Sequence, residues 1–379
     1  MLAIALLLAT AAASCSPADV WPGTIEERGG VVYVQNPADG MWQEREPAPL
    51  RFALEQVYGA ESEPADAIIG AIRSIAIDDS GNVYVLDRQP LQVVSFAPDG
   101  SVRWRAGREG GGPGELDGTR GILVNGDELY LLNRGGAAVD TWDTADGTFR
   151  STLSLVGLEL GFGAPAGFLP PDTMVLGRTL MGGTGVTVSL VALSDPPEVR
   201  AQFTHDALPD SPLPEHFGME VDVMVRGDRV VLGSTGTYHF RVLDAAGQPQ
   251  RVVSRDVDYL VGAGVYSTDT GSMIAGFGGL YAPVQLSDGY WLARVVWPTN
   301  VDDPDVATGM MMNDEFVPEF NTSYDLFDAE GRFLYSLVSE GTREGEYGSR
   351  LVLGPDGALY TQATEPFPQV RRYRVVIEE

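Results

Sequence analysis

Residues 72–107 read IRSIAIDDSGNVYVLDRQPLQVVSFAPDGSVRWRAG, and this stretch decides the fold. It holds four short strand-like runs. Asp79-Ser80-Gly81-Asn82 turns the first run into the second, and Pro98-Asp99-Gly100 turns the third into the fourth. Alternation in Val83-Tyr84-Val85-Leu86 and Val93-Val94-Ser95-Phe96 is only partial. That is the pattern of strands covered on both faces.

Copies of the unit follow along the chain. Residues 119–155 match it run for run, with turns at Asn125-Gly126-Asp127 and Ala145-Asp146-Gly147. A third unit starts at 165–179 and is completed by 186–203. A fourth occupies 220–257. A fifth starts at 280–297, is interrupted, and resumes at 323–338. The last, 349–379, offers three strands and then the chain ends. Its missing strand has a source in LRFALEQVYG (50–59), which resembles an outer strand such as VRWRAG (102–107). A ring of four-stranded blades closed by a strand from the other end of the chain removes exposed sheet edges. The expectation is an all-β, six-bladed β-propeller of antiparallel blades, spanning 31–379 and closed by an N-terminal strand.

The segments IRSIAIDDSGNVYVLDR and VVSFAPDGSVRWRAGREGGGPGEL (72–88 and 93–116) resemble the NHL-type repeat of bacterial six-bladed propeller proteins, many of them lipoproteins. The resemblance is carried by residues 72–134. It implies the fold, and it implies no single reaction, because that fold hosts binding proteins, scaffolds, lactonases and lyases.

The N-terminus fits such a lipoprotein. In MLAIALLLATAAASCS an apolar run leads into small residues and stops at Cys15, the only cysteine. The run is shorter than the ~20 apolar residues that span a bilayer and has the length of a signal-peptide core. Ala12-Ala13-Ser14-Cys15 resembles a lipobox, so residues 1–15 read as a signal ending in a lipidated Cys15 and 16–30 as a linker. Ser16 is compatible with periplasmic or outer-membrane placement. No disulfide is available to the core.

The formal net charge is −28 on 379 residues, and every basic side chain besides His is Arg. The acidity disfavours nucleic acid and anionic lipid as partners. The absence of Lys excludes Schiff-base chemistry and a Walker A site. The Gly-rich run GREGGGPGELDG (107–118) therefore reads as an inter-blade corner, with Arg108 the one residue in it that also faces a binding surface.

One residue type recurs at the end of the second runs: Arg88, Arg134, Arg178 and Arg294, after YVLD, YLLN, MVLG and YWLA, with Ser234 and Gln362 in the other units. Propeller geometry brings these positions to one face, shared with the blade-to-blade crossings. Four guanidiniums there suit carboxylate or phosphate groups; ion pairs with acids such as Asp87 would equally explain them. The insertion 297–323 leaves from the same face, and its Trp297, Met311 and Phe316 suggest a lid or partner-docking surface. Asp302-Asp303-Pro304-Asp305 lacks EF-hand spacing, so no cofactor is expected, with calcium as the alternative. The histidines, His205, His216 and His239, fit no zinc pattern and read as surface-loop residues.

The resulting expectation is a monomeric, non-enzymatic binding protein for a small anionic ligand or a protein partner, reaching the membrane only through its lipid. A metal-dependent hydrolase, lactonase or lyase at the channel mouth is the alternative, as is an architectural envelope component.

Overall fold

The computed structural model describes residues 21–160, 163–170, 172–179, 185–206, 222–235, 238–257, 264–268, 271–275, 279–299, 320–340, 348 and 350–378. The chain winds into six antiparallel blades. Blade 1 holds strands Ile72–Ile77, Val83–Arg88, Leu91–Phe96 and Val102–Ala106 in order. Blade 2 runs from Gly121–Asn125 to Phe149–Ser154, and blade 3 from Ala164–Leu169 to Glu198–Asp206. Blade 4 runs from Val223–Arg226 to Pro249–Arg255. Blade 5 has a broken inner strand, Gly279–Leu280 and Val284–Gln285, followed by Trp291–Pro298, Phe320–Phe327 and Phe333–Ser339. Pro283 stands between its two pieces, where it removes a ladder donor.

Blade 6 closes the ring as the sequence suggests. Its strands Leu351–Leu353, Leu359–Ala363 and Gln369–Ile377 are completed by Leu50–Tyr58, which pairs antiparallel with Gln369–Ile377 from Leu50↔Ile377 to Tyr58↔Val370.

The core is not central. It is divided into six wedges, one between each pair of neighbouring blades. This explains the continuous apolar runs of the second strands. Val83 and Val85 enter the wedge shared with blade 6, while Tyr84 and Leu86 enter the wedge shared with blade 2. Successive side chains point to opposite faces, and here both faces are core.

Residues 24–28 lie inside the stretch read as a linker, yet Thr24–Arg28 forms a strand. It pairs with Val31–Asn36, which in turn adds to blade 4 by parallel pairing with Pro249–Arg255. The added sheet edge carries Glu26, Glu27 and Arg28, charges that oppose edge-to-edge association. The buried Asn36 clamps the hairpin. It donates to the Ser254 and Gly331 carbonyls and accepts from the Trp21 indole and the Phe333 N–H. These bonds need tertiary neighbours, which is why composition alone suggests a linker. A second hairpin not foreseen from the repeats, Gly264–Thr268 with Gly271–Ala275, lies in the step between blades 4 and 5.

Candidate functional site

The Gly-rich run is a built corner. Arg108 and Leu116 close it through Leu116 N–H to the Arg108 carbonyl (2.8 Å) and Gly110 N–H to the Leu116 carbonyl (3.0 Å). Glu115 accepts from Gly112 N–H and pairs with Arg108 at 2.7 Å. Those two donors hold the Glu115 carboxyl below its ordinary pKa. Arg108, expected at the binding surface, is thus engaged within the corner, though largely solvent-exposed. Leu116 is fully buried beside Trp142 in the wedge between blades 1 and 2.

Asn133 anchors the same corner from blade 2. Its side-chain oxygen accepts from Asp117 N–H and the Thr119 hydroxyl, and its amide donates to the Glu115 carbonyl and Asp140. The corner so fixed forms one wall of a cavity of about 360 Å³ lined by Arg73, Arg88, Arg120, Glu109, Leu91 and the Gly118–Thr119 step.

Three guanidiniums share this cavity with one carboxylate. Arg73 opens the inner strand of blade 1, Arg120 precedes that of blade 2, and Arg88 ends the second strand of blade 1. Arg73 Nε reaches the Arg120 carbonyl at 3.4 Å. Burial, with the Arg88 and Arg120 charges beside it, lowers the Arg73 pKa from its ordinary value. It remains a cation, since guanidinium does not deprotonate in proteins. Neither Arg73 nor Arg88 has an ion-pair partner among the described residues. Asp87, considered as the partner of Arg88, is fully buried and serves the backbone instead. It accepts from the N–H groups of Gly70, Ala71 and Gln89, and its nearest guanidinium is Arg105 at 3.9 Å.

The other arginines of the recurring series stand at the same ends of their blades in different surroundings. Arg134 is exposed, with φ of 51°, and its neighbour Gly135 rather than Arg134 itself lines the cavity. Arg178 is half-buried, with its Nε enclosed and lacking a hydrogen-bond partner among the described residues. Arg294 is 3 % exposed and lies over the Tyr281 ring at 4.9 Å. In blade 4 the corresponding Ser234 leaves its own sheet. Ser234–Thr235 pairs with Gly279–Leu280 of blade 5 and zips the two blades together. Trp297 is partly buried against the wedge between blades 4 and 5. Met311, Phe316, Cys15 and the acidic run at 302–305 lie outside the described residues.

The histidine expectation is corrected in part. His239 is a strand residue, 5 % exposed, rather than a surface-loop one. Burial, aided by Arg241, pushes its pKa down to about 3. His205 belongs to the strand Glu198–Asp206, and His216 lies outside the described residues. Among the described residues no three His, Cys, Asp or Glu side chains gather as a metal site.

Sequence reading missed Arg73 and Arg120, the two cavity arginines supplied by inner strands. A signal was present: Arg recurs at the step into the inner strand in IRS (72–74), TRG (119–121) and SRL (349–351).

No family model matches the chain, and no curated protein matches it. Solved structures do. The chain is similar to a DUF4221-family member from Bacteroides vulgatus, with a TM-score of 0.56 at 11 % identity, covering 87 % of this chain and 99 % of that one. A putative exported protein from Bacteroides fragilis follows at TM-score 0.46 and 12 % identity, covering 92 % and 100 %. BamB from Moraxella catarrhalis is matched at TM-score 0.38 and 14 % identity, covering 80 % and 83 %. At these identities the likeness speaks to the propeller fold alone.

Proposed function

We propose that this chain is a non-enzymatic β-propeller that binds a small anionic ligand through the face carrying the blade-to-blade crossings. The observation that carries the reading is the cavity between blades 1 and 2. Three guanidiniums gather there with one carboxylate, on a chain whose acids outnumber its arginines 53 to 25. Like charges gathered around a single carboxylate repel one another, and a bound anion offsets that repulsion. A net charge of about +2 in the lining matches a dianion, a phosphate monoester or a short dicarboxylate, and the arginine fork suits either.

Titration calorimetry of the protein with methyl phosphate and with succinate tests this. Binding is expected, weakening with added salt, and Arg88→Gln should reduce affinity about tenfold or more, as loss of a charge-assisted hydrogen bond implies. Absence of binding by both anions, or an Arg88→Gln protein that binds equally well, overturns the reading.

The proposal extends to location. The apolar run before Cys15 supports export and a lipid anchor. Cys15→Ala should move the protein from the membrane fraction of the expressing cell to the soluble one; a membrane-bound variant refutes the anchor.

A further inference from the structure

We infer that the cavity between blades 1 and 2 selects an anion that also carries an ammonium group, an acidic amino acid rather than a plain dicarboxylate, and that Glu109 makes the selection. The inference rests on the anion-binding reading above and deepens it by naming the class of ligand. Among the described residues Glu109 is the one carboxylate in the lining, beside Arg73, Arg88 and Arg120. An acid in such company ordinarily pairs with a guanidinium, and this one does not. Its side chain makes no ion pair or hydrogen bond among the described residues. Arg108, its neighbour in sequence, is taken by Glu115. The charges that bear on Arg73 are those of Arg88 and Arg120, not that of Glu109.

The backbone accounts for the separation. Glu109 forms a bridge with Leu116, and the hydrogen bonds from Leu116 N–H to the Arg108 carbonyl and from Gly110 N–H to the Leu116 carbonyl fix the chain on either side of it. Leu116 is fully buried in the wedge between the two blades, so the corner is anchored and the Glu109 backbone with it. The cavity therefore keeps an acid and three cations in one lining without letting them meet. A ligand that carries both charges completes both partners: its carboxylates meet the guanidinium forks and its ammonium donates to Glu109. A plain dianion meets the same guanidiniums but brings like charge to Glu109, and that repulsion lowers its affinity.

Succinate, L-malate and L-aspartate share one dicarboxylate skeleton and differ at a single substituent, so calorimetric titration of the full chain with all three reads the selection. At neutral pH L-aspartate should bind about tenfold tighter than succinate, as one charge-assisted hydrogen bond implies, with L-malate between them. Glu109→Gln keeps the size of an exposed side chain and removes its charge. It should weaken L-aspartate about tenfold and strengthen succinate about threefold, so that the preference disappears or reverses. Arg88→Gln should weaken both ligands together. Equal affinity for succinate and L-aspartate in the unaltered protein, or a Glu109→Gln protein that keeps the preference, overturns the inference while the anion site stands. Failure of both ligands to bind overturns the site as well.

Discussion

At the scale of single residues, the polar side chains that matter most are buried ones that hold backbone in place. Asn133 makes four hydrogen bonds that fix the corner at 115–119 against blade 2. It touches the cavity only through the segments it positions. Asn133→Leu leaves those donors and acceptors unmatched, and each buried unsatisfied group costs about 1–3 kcal/mol. Urea unfolding should show a loss of about 2–4 kcal/mol, with weaker binding of methyl phosphate, and Asn133→Asp should lose no less, because it removes both donors and sets a second carboxylate against the buried Asp140. Gly107 shows why the corner needs glycine. It has φ of +86°, and a Cβ there would lie 2.6 Å from a ring carbon of Trp142. The residue types of this corner were legible in GREGGGPGELDG; that Arg108 would turn to Glu115 and leave the cavity to Arg73, Arg88 and Arg120 was not. Side-chain direction depends on which neighbour offers the carboxylate, and Glu115 is local while the cavity is assembled from two blades.

At the scale of elements, the second strands explain why the repeat was readable. A strand buried on both faces admits few polar residues, so YVL, YLL and MVL (84–86, 130–132 and 174–176) survive where the connections vary. Asp at the tight turns is equally legible. Asp78, Asp244 and Asp328 each accept two backbone N–H groups through one side-chain oxygen, closing the same kind of turn between the first two strands of blade 1 and the last two strands of blades 4 and 5. Blade 4 is the element that departs most from expectation, by its crossover at Ser234–Thr235 and its extra N-terminal hairpin.

Blade 4 also carries a pH dependence. His239 is neutral in the folded protein, with its pKa depressed to about 3, against an ordinary value near 6.5. Below that ordinary value the unfolded chain takes up a proton that the folded chain refuses. Stability should therefore fall as pH drops from 6.5 toward 3, by up to about 1.4 kcal/mol per pH unit. Urea midpoints measured at pH 6.0 and 4.8, above most carboxylate titration, should show this slope, and His239→Gln should flatten it. An unchanged slope in the variant would assign the acid sensitivity elsewhere.

At the scale of the whole molecule, closure of the ring by Leu50–Tyr58 is the decisive long-range event. This one strand supplies Leu50 and Phe52 to the wedge with blade 5 and Tyr58 to the wedge with blade 1. Burying each such side chain is worth about 1.5–3 kcal/mol, a large share of the ~5–15 kcal/mol typical of a folded protein. A chain starting at residue 60 should therefore fail to give a cooperative unfolding transition and should aggregate through the uncovered edge of Gln369–Ile377. A cooperative, monomeric shortened protein, measured by circular dichroism and size-exclusion chromatography, would show that the ring holds without its closing strand.

The sequence by itself determined the blade count, the antiparallel four-stranded unit and the closing strand. These follow from local alternation, turn chemistry and the arithmetic of a missing strand, all written in consecutive residues. Only the tertiary structure decided which arginines meet. Arg73, Arg88 and Arg120 lie on three different strands of two blades, and their convergence depends on how neighbouring blades are rotated about the axis. The wedges set that rotation, and no periodicity along the chain records it.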